Sequence, residues 1–122
     1  MKIFEPEPQD VLDWVQGSDG KWPASDWDYY VMNGRNDTVV LALASDMGCT
    51  KRWFFVHCLH YLVGDFFNEG ATDQRKKERI EALLRGVDDL AAPDVEEWRS
   101  KTRAALDGKE KVVPAEWLHY GV

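Results

Sequence analysis

At 122 residues the chain has the length of one domain, 1–122, and enough residues to bury a core without disulfide or metal staples. Its hydrophobic fraction of 44% excludes disorder along the whole chain, and 6 tryptophans make it rich in large rings. A net charge of −7 repels nucleic-acid phosphates and anionic membrane surfaces, so neither is expected as a partner; it favours a basic protein instead.

Cys49 and Cys58 form no CxxC pair, which excludes a zinc ribbon, and they read as two reduced thiols. The opening MKIFEPEPQDVLDW has no signal-peptide core, and no uncharged apolar run reaches the roughly 18 residues that cross a bilayer. A soluble, cytoplasmic protein is the expectation.

Pro6 and Pro8 interrupt regular structure at the start. Asp10 is placed to cap a short helix through Val11, Leu12, Trp14 and Val15. A loop at 17–20 follows, extended by Trp22 and Pro23. Trp27 to Met32, WDYYVM, is aromatic and β-branched and reads as a strand. Residues 33–37 form a turn cluster, and Thr38 to Ala44, TVVLALA, reads as the return strand of a hairpin over 27–44. Because this second strand is apolar at nearly every position, it is expected to have both faces covered.

Thr50 to Asn68 is apolar on nearly every face, interrupted after Arg52 only by His57, His60 and Asp65. Such a helix belongs in the middle of a core. Thr50 is its expected cap and Gly70 its stop. Residues 53–59, WFFVHCL, also have strand propensity, which leaves the form of that stretch open. Asp73 opens a second helix whose stripe is Ile80, Leu83, Leu84, Val87 and Leu90. Pro93 and Asp94 begin a third, with Val95, Trp98, Thr102, Ala105 and Leu106 on one face and Gly108 at its end. Lys111 to Val122 is read as a short strand interrupted at Pro114, suited to a sheet edge. The fold class expected is α+β: a small antiparallel sheet, from the hairpin 27–44 and a C-terminal strand, packed on a buried central helix with two further C-terminal helices.

No phosphate loop, nucleotide fingerprint, nucleophile elbow, HExxH or calcium loop is present, so no catalytic residue and no cofactor is assigned. His57, His60, Tyr61 and Asp65 lie at helical spacing on one side of the central helix. His57, His60 and Asp65 are weak candidates for a metal or for acid–base work. The same groups also suit a hydrogen-bonded polar seam between helices. A small enzyme built on this cluster is therefore the alternative reading. A structural adaptor, or a homodimer paired along an edge at Thr38–Ala44, is another.

The strongest functional signal is the N-terminal quarter. Residues 1–30 hold seven acids against two bases, interleaved with Phe4, Trp14, Trp22, Trp27, Tyr29 and Tyr30. Carboxylates steer a basic protein and rings anchor it. Trp22, Asp26, Trp27, Asp28 and Asp19 are the expected contact residues, with Trp22 the ring expected to be most exposed. In size, acidity and freedom from catalytic motifs the chain resembles bacterial immunity proteins, small inhibitors that block a cognate toxin. The likeness is one of type and carries no residue over. It implies a non-catalytic inhibitor of a basic partner.

Overall fold

The computed structural model describes residues 1–88 and 91–122, and these form seven helices and no strand. They are α1 Pro8–Gln16, α2 Trp27–Val31, α3 Asp37–Ser45, α4 Arg52–Asn68, α5 Gln74–Gly86, α6 Pro93–Leu106 and α7 Pro114–Leu118. The predicted α+β class is therefore corrected to all-α.

The hairpin expected at 27–44 is two helices, α2 and α3, joined by a turn. The buried positions show why. In α2 they are Trp27, Asp28 and Val31, and in α3 they are Val40, Leu43 and Ala44. Both sets follow a helical period, not the alternation of a strand. A short apolar run has no period of its own to separate a buried strand from a buried helix, and packing decided in favour of helix. The turn is held by Asn36, fully buried, whose Nδ2 donates to the carbonyls of Pro6 (2.9 Å) and Val31 (3.0 Å). The expected C-terminal strand is α7, with Pro114 in its first turn, where the missing N–H has no helical partner to lose.

The central-helix reading holds. Phe54, Phe55, Val56, Cys58, Leu59, Leu62, Val63 and Phe66 of α4 are all buried. Residues 53–59 are helical, and α2, α3, α5, α6 and α7 pack around α4. The helix begins after Lys51, one residue beyond the expected Thr50 cap. Lys51 is itself buried, and its ammonium donates to the carbonyls of Trp14 and Gly17 at the end of α1. A cation there meets the negative end of the helix dipole.

At the other caps, Asp73 caps α5 by accepting from Arg75 N (3.0 Å) and Lys76 N (3.1 Å). Asp10 lies one turn inside α1 and not at its cap, where its carboxylate accepts from Glu7 N at 3.0 Å. That bond holds Asp10 below the usual carboxylate range. Leu90 of the predicted α5 stripe lies outside the described residues. Arg52 to Asp94 (2.7 and 2.8 Å) and Arg79 to Asp37 (2.8 and 2.9 Å) are two-pronged ion pairs that tie α4 to α6 and α5 to α3. Among the described residues no helix is long and apolar enough to cross a membrane.

Candidate functional site

α2 and the loop before it face α4 across a cleft of about 380 Å³. Trp22, Asp26 and Asp28 come from the first side, and His57, Tyr61 and Asp65 from the second. The last three recur every four residues, so a single face of α4 presents them. No Lys or Arg is among the lining residues. The field of the carboxylates shows on Tyr61, whose hydroxyl is pushed above its ordinary value, by burial first and then by Asp65 and Asp28.

Asp28 and His57 form a buried pair. Asp28 Oδ2 is 2.8 Å from His57 Nε2, and Asp28 Oδ1 accepts from Tyr29 N at 2.8 Å. His57 Nδ1 donates to the carbonyl of Tyr120 at 2.6 Å, because a carbonyl oxygen only accepts. The His57 ring is 1% exposed, and both its nitrogens face acceptors. A general base needs a nitrogen within reach of the substrate proton. His57 presents none in this arrangement and acts as a tie between α2, α4 and the C-terminus.

His60 does not join this cleft. Its Nδ1 donates to Val56 O at 2.8 Å, and its ring stacks on Tyr120 with centroids 3.5 Å apart. Burial holds it down at about 4, so it is neutral near pH 7. Asp65 is paired with Lys76 at 2.8 Å. The three metal candidates thus have separate partners, and no group of three His, Cys, Asp or Glu among the described residues is arranged to hold an ion. Cys58 is fully buried, which pushes its thiol well up and makes it a poor nucleophile.

Three of the five expected contact residues therefore meet in one cleft: Trp22, Asp26 and Asp28. Trp22 is half-buried, not the most exposed ring, and it packs on Phe54 (5.0 Å) and stacks on Trp53 (6.4 Å). Asp26 is exposed. Asp19 is also exposed but lies outside the cleft, where it accepts from Lys21 N. Trp27 is 0% exposed, with its ring stacked on Phe54 and its Nε1 donating to Ile3 O, so it belongs to the core and not to a contact surface.

Sequence reasoning missed Trp53, which is 48% exposed beside Trp22, and the C-terminal residues that complete the site. Trp53 lies in an apolar run that gives no sign of which face turns outward. Tyr120 is more than sixty positions from His57, and no local pattern relates them. A second cleft of about 490 Å³ shares Tyr61 and Asp65 with the first and adds Phe4, Tyr29 and Tyr30. The chain matches no family model, no curated protein and no solved structure.

Proposed function

We propose that the chain is a non-catalytic binding module that neutralises a basic protein partner, an inhibitor of the immunity type. The observation that carries this reading is the cleft lined by Asp26, Asp28 and Asp65 without a Lys or Arg among its lining residues. A lysine or arginine side chain entering it meets the Asp26 carboxylate at its head, with Asp28 and Asp65 already paired to His57 and Lys76 behind it, and the rings of Trp22 and Tyr61 along its stem. Trp53, 48% exposed and stacked on Trp22, and Tyr29, 58% exposed and next to Asp28 in α2, add exposed ring area beside these residues. The Asp26 carboxylate makes no hydrogen bond or ion pair with a described residue, so it is free to steer an incoming charge.

The test is retention of a partner from the native host on immobilised protein, with Trp22→Ala and Asp26→Asn baits in parallel. A basic protein held in stoichiometric amount by the parent, released by high salt and lost from both variants is the expected result. Equal retention by the variants, or capture of an acidic protein, would overturn the assignment of this cleft.

A further inference from the structure

After α6 the chain turns at Gly108, where φ is +72°, and residues 111–113 belong to no helix before α7 begins. From there the segment lies along α4. Its fit is close: a Cβ on Gly64 would sit 2.8 Å from Trp117 Cβ and 2.9 Å from Leu118 N. α7 itself packs extensively on α4, but outside α7 the segment buries no residue. Trp117 is the one buried residue in 109–122, Tyr120 stacks on His60, and the Tyr120 carbonyl accepts from His57. Leu118, His119 and Val122 of the same segment line the acidic cleft.

We propose that residues 109–122 are a strap that acid releases from α4, by protonation of His60, and that its release removes one wall of the acidic cleft. The link to the cleft rests on the binding reading above; the strap's own response to acid does not.

The chemistry lies at one atom. His60 Nδ1 already carries a proton donated to Val56 O, so a second proton from solvent must go to Nε2, which is buried and has no hydrogen-bond partner. With the strap docked, the new N–H would face no acceptor and the new charge no water. The charged groups around it are Lys101 and Asp94 on α6, and His57 on α4 with Asp28 of α2 beyond it. On the strap are the rings of Tyr120 and Trp117, over both of which Lys101 Nζ already lies, at 5.2 and 5.0 Å. Lys101 repels the imidazolium and Asp94 attracts it more weakly. Lifting the strap opens the His60 ring to solvent. Docked, His60 takes its proton at about 4; freed, at the ordinary 6.5. The docking equilibrium therefore falls as pH drops below 6.5, by about 20-fold between pH 7 and pH 5.

Amide hydrogen exchange read by mass spectrometry, corrected for intrinsic rates, tests this on the whole chain without any partner. Protection of 112–122 is expected to fall about 20-fold from pH 7 to pH 5 while that of α4 is kept. His60→Phe keeps a ring under Tyr120 and takes up no proton, so its strap protection is expected not to change. His60→Gln, which keeps a donor for Val56 O, replaces it if the first variant does not fold. Unchanged protection in the parent, the same loss in the variant, or joint loss of strap and α4 would each overturn the strap. Titration with N-acetyl-arginine amide, followed at the Trp22 indole, tests the wall. Binding at pH 7 that disappears at pH 5 in the parent and persists in His60→Phe supports it. Binding that survives strap release, or that is absent at both pH values, overturns the link while leaving the strap result standing.

Discussion

Single side chains here do two jobs that their neighbours in sequence do not reveal. Trp27 and Asp28 are adjacent, yet the ring goes to the core and the carboxylate reaches the cleft through its bond to His57. A helix turns successive side chains by about 100°, and that rotation separates the two roles. Trp22 is the anchor expected to matter for the partner: Trp22→Ala should weaken binding by about 2 kcal/mol or more, measured by calorimetric titration. An unchanged Kd would remove it from the contact surface. Asn36 is fully buried and donates to two carbonyls, so Asn36→Ala, which leaves both without that donor, should cost about 1–3 kcal/mol in a denaturant melt.

The helices differ in what secures them. α5 has an Asp73 cap and a clear stripe, so local signals suffice to place it. α4 has no side-chain cap and no acid in its first turn, and it is secured by burial instead. Leu59→Ala or Phe66→Ala should therefore lower stability by about 2–5 kcal/mol. Variants melting like the parent would contradict the central position of α4. Gly64 is where α4 lets the strap approach, and Gly64→Ala must push apart two backbones. A loss of about 1–3 kcal/mol is expected, with exchange protection lost first in 112–122. α2 and α3 show the opposite case from α5. Their aromatic and β-branched residues favour strands in isolation, and they became helices because α4 offers each a groove for a helical stripe.

At the scale of the whole molecule, charge and acidity set the behaviour. If the cleft takes a basic partner as proposed, affinity should fall steeply as salt is raised, because exposed carboxylates attract it through solvent. His60 gives the fold its acid sensitivity. Its folded value of about 4 lies below the ordinary 6.5, so the neutral form is stabilised by folding. That stability is fully present above 6.5 and is lost as pH falls toward 4. Between pH 7 and pH 5 the docked state should lose about 2 kcal/mol relative to any state with His60 in water. Thermal melts across that range check it, and His60→Phe should flatten the slope.

The sequence by itself determined the central helix, the two helices that follow it and the acidic, aromatic character of the N-terminal quarter. Each of these is written locally, as an unbroken apolar run, a 3–4 stripe with a cap, or a charge count. It also singled out Trp22, Asp26 and Asp28. The tertiary structure alone decided that 27–44 and 114–118 are helical, since apolar and aromatic runs of five to nine residues carry no period of their own. It alone decided that Asp28 meets His57 and that Tyr120 closes over His60, because those contacts join positions 29 and 60 residues apart that only the packing of α2 and the strap on α4 brings together.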